Sequence, residues 1–150
     1  YIDGVDYPEP HPSGYEVNPK TGEATKWGPI NFSGFGAAGA MVTQLNDLLT
    51  WGKALGTGSL IGPALQQFRT SHSRPATDGP EYNRYGVGIG ELKSWWGHTG
   101  EGLGAQAAVF YDPKSGSTIA VLVNSTQHVN AATEIFKALA PLVRHGRQPR

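Results

Sequence analysis

Residues 94–124 read SWWGHTGEGLGAQAAVFYDPKSGSTIAVLVN, and this stretch decides the fold. Two extended runs, AQAAVFY (105–111) and STIAVLV (117–123), flank Asp112-Pro113-Lys114-Ser115-Gly116. Proline presets φ, glycine reaches positive φ, and Asp and Ser side chains accept local N–H groups, so the five residues predict a tight turn. The runs therefore pair as an antiparallel hairpin. The second run is almost wholly apolar, which predicts burial on both faces. Ahead of the hairpin, Trp95-Trp96-Gly97-His98-Thr99-Gly100-Glu101 predicts a further strand carrying a polar tripeptide. Taken alone, His-Thr-Gly is a weak signal and reads as a surface turn.

The flanking residues supply layers for this sheet. YGVGIGEL (85–92) alternates, predicting one strand with Tyr85, Val87 and Ile89 on one side and its glycines pressed by a neighbour. Downstream, a helix opens near Asn130 with Ala132, Ile135, Phe136, Leu139 and Val143 on its apolar face, and Pro141 is expected to kink or fray the last turn. Such a stripe is buried by lying on the sheet. Upstream, Thr43 is the expected N-cap of a helix with Asp47 in its first turn. Leu45, Leu48, Leu49, Gly52 and Leu55 share its face, and Gly56 and Gly58 end it. Pro63 starts a second helix that runs to about Arg69. Tyr15 and Val17, the turn residues 18–22, and Thr25 and Trp27 predict a small hairpin. The resulting class is α+β, an antiparallel sheet covered by helices.

Composition narrows the function. The 150 residues carry twelve basic and twelve acidic side chains, so no net field steers the chain to nucleic acid or an anionic membrane. The absence of cysteine excludes a disulfide framework and a thiolate metal site. His11, His72, His128 and His145 lack metal-ligand spacing and read as solvated. No apolar run reaches the length of a membrane span. Gly86, Gly88 and Gly90 alternate within a strand and open no helix, unlike a phosphate loop. A start at Tyr1 without methionine predicts a piece of a longer protein.

In order along the chain, four segments resemble one family. These are SGYEVNPKTGEATKW (13–27), GAAGAMVTQLNDLLTWGKAL (36–55), YGVGIGEL (85–92) and GHTGEGLGAQAAVFYDPKSGSTIAVLVNS (97–125). They are similar to the Gly-Tyr hairpin, the glycine-rich lead into a D-L-x-x-W helix, the strand before the third motif, and the motif strand with its closing hairpin in serine β-lactamases and DD-peptidases. The best-known form of that third motif is K-T-G. Two departures stand out. Histidine replaces lysine, and an imidazole is not a permanent cation near neutrality. Neither a Ser-x-x-Lys nor a Tyr-x-Asn motif occurs in the chain.

The resemblance implies the C-terminal portion of a β-lactamase/transpeptidase-like fold, with residues 1–150 as part of a single domain. Its expected divisions are loop and hairpin (1–36), a helical segment (37–79), antiparallel sheet plus terminal helix (80–143) and a tail (144–150). It implies a serine hydrolase acting by acyl transfer on β-lactam, D-alanyl peptide or ester substrates, with no cofactor and no metal. By the same resemblance His98, Thr99 and Gly100 bind substrate, and the Glu101 backbone N–H serves an oxyanion hole. The nucleophile lies in no residue of this chain, which alone is expected to be inactive. Expected partners are the N-terminal part of the same protein and the substrate, with association into oligomers when isolated. An extracytoplasmic location follows from the resemblance only. Two other readings remain: an inert β-lactamase-like module that binds cell-wall peptide or a protein, and an unrelated α+β interaction domain. Strand alternation puts His98 and Thr99 on opposite faces, so both reach one site only from a strand edge.

Overall fold

The computed structural model describes residues 4–76, 81–127 and 129–145, with residues 144 and 145 described by backbone alone. Its class is α+β. Six short or medium strands form one antiparallel sheet in sequential order: β3 (Arg74–Pro75), β4 (Arg84–Tyr85), β5 (Gly90–Leu92), β6 (Trp95–Gly102), β7 (Ala105–Asp112) and β8 (Ser117–Val123). A smaller sheet joins β1 (Tyr15–Val17) to β2 (Ala24–Lys26) and, in parallel, to β9 (Ser125–Thr126). The β1–β2 hairpin is the one expected. Asn18 closes its turn, its Oδ1 accepting the Lys20 N–H at 2.9 Å.

The β7–β8 hairpin also forms as expected, pairing Phe110 with Ile119 and Asp112 with Ser117. Asp112 organises the turn: its carboxylate accepts the Lys114 N–H and the Ser115 hydroxyl, and Gly116 takes a left-handed φ of 68°. Helices lie on both faces. On one, α3 (Ala131–His145) packs Phe136 flat on Phe110, 4.3 Å between centroids, and against the edge of Trp95. Leu92, Ala108, Ile119, Val121, Ala132 and Ala140 complete this core. On the other face, α1 (Leu45–Thr57) brings Gly52 against Val109 and Thr118, and Gly56 against Tyr111. No Cβ fits at either glycine, so close approach rather than backbone freedom requires them.

Several expectations need correction. YGVGIGEL is a hairpin, not one strand. Gly86 N–H donates to Ile89 O at 2.8 Å, Gly88 has a φ of 65°, and Tyr85 pairs back onto Gly90. Ile89 is buried while Val87 is exposed, so they share no side. The turn is clamped by α2 (Pro63–Ser71): Arg69 donates to Val87 O and Gly88 O, and its own carbonyl accepts the Val87 N–H. Strand β8 is not buried on both faces, because it is the sheet edge and Leu122 remains exposed. Gln44, not Thr43, occupies the α1 N-cap position, where its carbonyl accepts the Leu48 N–H. Of the expected α1 stripe, Leu48 and Gly52 are buried and Leu45 is exposed. Helix α3 continues through Pro141 to His145. Its first turn is held by buried Gln106, whose Oε1 accepts the Ala131 N–H, and by the Asn130 cap to Thr133. The tail lies mostly outside the described residues, as does His128.

Candidate functional site

Strand β6 changes character along its length. Leu92, Glu91 and Gly90 of β5 oppose Trp95, Trp96 and Gly97, and β7 opposes β6 from Trp96 onward, so Trp96 and Gly97 pair on both sides. After Gly97 the β5 partner ends, whereas β7 continues opposite His98 to Gly102. Among the described residues, no strand pairs with His98-Thr99-Gly100-Glu101 on the side away from β7, although β6 is interior at its start. Alternation sends the His98 and Thr99 side chains to opposite faces, and both residues lie on this segment of the strand.

The Thr99 N–H points away from β7, because it donates to the Tyr82 hydroxyl at 2.8 Å. N–H groups two residues apart on a strand project to the same side, so the Glu101 N–H lies on that side too. The Tyr82 and Thr99 hydroxyls also share a 2.8 Å hydrogen bond. The Tyr85 hydroxyl meets His98 Nε2 at 2.7 Å, and His98 Nδ1 meets the Thr99 carbonyl. A carbonyl only accepts, so Nδ1 carries a proton. In the neutral ring Nε2 is then the acceptor, and Tyr85 donates to it. The rings of Tyr82, Tyr85 and His98 pack together, with centroids 5.2 to 5.7 Å apart. Burial raises the Tyr82 pKa, against the Thr99 hydrogen bonds, which lower it. Burial lowers the Arg69 pKa.

Glycines 97 and 100 have different origins. A Cβ at Gly97 would lie 1.9 Å from the Val109 carbonyl oxygen, so sheet packing requires glycine there. At Gly100 a Cβ would meet only Ala107 Cβ, at 3.8 Å. Neither packing among the described residues nor a left-handed φ demands Gly100.

The beta-lactamase family model matches residues 4–142. The chain belongs to the beta-lactamase family. Solved structures agree. A D-stereospecific amidohydrolase from Streptomyces sp. is 25% identical, with a TM-score of 0.70 over 90% of this chain and 41% of its own. A D-amino acid amidase from Ochrobactrum anthropi SV3 is 21% identical, with a TM-score of 0.72 over 91% and 43%. A penicillin binding protein from Bacillus halodurans is 19% identical, with a TM-score of 0.69 over 95% and 44%. The last two carry the fold alone. The chain spans less than half the length of each of these three proteins. No curated protein sequence matches it significantly.

Within this beta-lactamase-family fold, the four expected site residues lie on the segment of β6 that runs beyond the end of β5. Trp95 is core, fully buried against Phe136, and Trp96 is half-buried. His11 pairs with Glu9, and His72 bonds back to the Phe68 carbonyl. Among the described residues no group of three or more His, Cys, Asp or Glu is placed to hold a metal ion. Sequence reasoning missed Tyr82 and the role of Tyr85. Their only signal was a pair of hydroxyl-bearing aromatics three apart, just ahead of a glycine-rich turn.

Proposed function

We propose that the protein carrying this chain is a serine hydrolase that acts by acyl transfer, and that β6 is one wall of its active site. Amide bonds beside a D-configured residue are the foremost substrates; β-lactams and simple esters react by the same chemistry. The observation that carries this reading is the segment of β6 beyond the end of β5, with the Thr99 and Glu101 N–H groups on one side and a Gly100 that packing among the described residues does not demand. Family membership and the 25% identity to a D-stereospecific amidohydrolase support it.

In this reading the serine nucleophile and its base come from the rest of the protein. Attack on the carbonyl moves charge onto its oxygen, and the Glu101 N–H donates to that oxygen in the tetrahedral intermediate. Gly100 lets the substrate backbone lie close to the strand. His98 and the Thr99 hydroxyl hold the substrate carboxylate. Leu45, Leu65, Phe68 and Val87, all exposed here, belong to the surface that the N-terminal part covers.

The test is His98→Ala in the protein that carries this chain, assayed on a D-alanyl peptide with a free carboxylate. Loss of a hydrogen bond to a charged group is worth roughly 1.5–3 kcal/mol, or about tenfold to a hundredfold in kcat/KM, without unfolding. Equal kcat/KM for wild type and variant refutes the wall assignment.

A further inference from the structure

The four residues Tyr82-Asn83-Arg84-Tyr85 divide their work in a way that neither the fold nor the proposed chemistry requires. The middle pair is committed to scaffold. Asn83 Oδ1 accepts the Lys93 N–H at 2.8 Å, and the Asn83 N–H donates to the Glu91 carbonyl, also at 2.8 Å. The Arg84 guanidinium donates to both the hydroxyl and the carbonyl of buried Ser73. One residue earlier, Glu81 accepts the Thr133 hydroxyl of α3 at 2.8 Å. Two and three residues later, the carbonyls of Val87 and Gly88 are gripped by Arg69. The outer pair, in contrast, spends both phenols on the motif. Tyr82 takes the Thr99 N–H and shares a hydrogen bond with its hydroxyl, and Tyr85 takes His98 Nε2.

We infer that Tyr82 and Tyr85 are positioning residues, a two-phenol brace that sets the hydrogen-bond state of Thr99 and His98. Tyr85 and the Thr99 carbonyl bind the two imidazole nitrogens from opposite sides, which fixes both ring orientation and tautomer. Tyr82 accepts the Thr99 N–H, and its hydroxyl shares a second hydrogen bond with Thr99 Oγ1 in which either oxygen can donate, so one phenol fixes both the backbone and the side chain of Thr99. Without this brace the Thr99 N–H would have no strand among the described residues to receive it. Tyr82 is seated by the absence of a side chain at Gly90, where a Cβ would fall 2.2 Å from its ring.

The experiment uses the protein that carries this chain, labelled with nitrogen-15 in histidine, with Tyr85→Phe and Tyr82→Phe compared to wild type. The His98 resonances are identified by their loss in His98→Ala. At alkaline pH, where an imidazole is neutral, wild type is expected to show the proton on Nδ1 and a hydrogen-bonded Nε2. In Tyr85→Phe the Nε2 resonance moves downfield as it loses its donor. In Tyr82→Phe the Thr99 amide exchanges with solvent about tenfold faster, since one edge hydrogen bond is gone, while the Phe110 amide is unchanged. A wild-type proton on Nε2, or ring resonances indifferent to Tyr85→Phe, overturns the Tyr85 assignment. Unchanged Thr99 exchange overturns that of Tyr82. The kinetic consequence rests on the proposed wall: Tyr85→Phe should lower kcat/KM by about tenfold with no loss of folded protein. A shifted Nε2 with unchanged kcat/KM leaves the brace standing and refutes the wall.

Discussion

Replacing Gly52 by alanine sets two effects of opposite sign against each other inside α1. Helix propensity favours alanine by about 1 kcal/mol. Packing opposes it: the new Cβ would lie 2.3 Å from Val109 Cγ2 and 2.9 Å from Thr118 Cγ2, against 3.4–4 Å for ordinary contact. Val109 is β-branched, buried, and paired opposite His98, so its methyl has no free rotamer to retreat into. Overpacking costs about 1–3 kcal/mol, and an approach this close belongs at the upper end. The net expectation is a loss of about 2 kcal/mol. Val109→Ala alone removes two methyls at roughly 0.8 kcal/mol each, plus a cavity term, about 2 kcal/mol in all. In that background the cavity receives the new methyl, and Gly52→Ala becomes nearly neutral. The two substitutions are therefore coupled by about 2 kcal/mol. Urea denaturation of the four proteins, with m unchanged, reads the cycle directly. A Gly52→Ala protein at least as stable as wild type, or a double mutant additive within about 0.5 kcal/mol, refutes the packing of α1 on β7 and β8.

Four further outcomes are expected. Gly97→Ala should abolish folding by circular dichroism, because its Cβ meets the Val109 carbonyl oxygen at 1.9 Å. Gly100→Ala should leave stability within about 0.5 kcal/mol yet lower kcat/KM. The two-residue turn at Lys93 and Ser94 holds both at positive φ, 52° and 67°, so Lys93→Asn with Ser94→Gly should raise stability by about 1 kcal/mol in a thermal melt. Tyr82 has its pKa raised above 10 by burial, so its folded form prefers the proton. The stability it contributes is complete below the unfolded value and is lost as pH rises through the folded one. Tyr82→Phe should remove that part of the alkaline decline in urea midpoint.

Local chemistry determined much of this molecule from the sequence alone. Asp112 to Gly116 made the β7–β8 turn, because its side-chain acceptors and left-handed glycine act within five residues. Pro63 and Gly58 marked helix ends by the same kind of short-range rule. Histidine, threonine and glycine at 98–100 were legible as a motif because their spacing is contiguous. What lay beyond reach was pairing. Alternation in YGVGIGEL says which residues share a face if the chain stays straight, but the Arg69 clamp from α2 folds it into a hairpin. That fold ends β5 opposite Gly97. The same tertiary event leaves the motif beyond the end of β5 and carries Tyr82 and Tyr85 onto it. A strand's period encodes which face a residue takes; the partner that stops beside it is decided by contacts tens of residues away, and here that partner's end makes the candidate site.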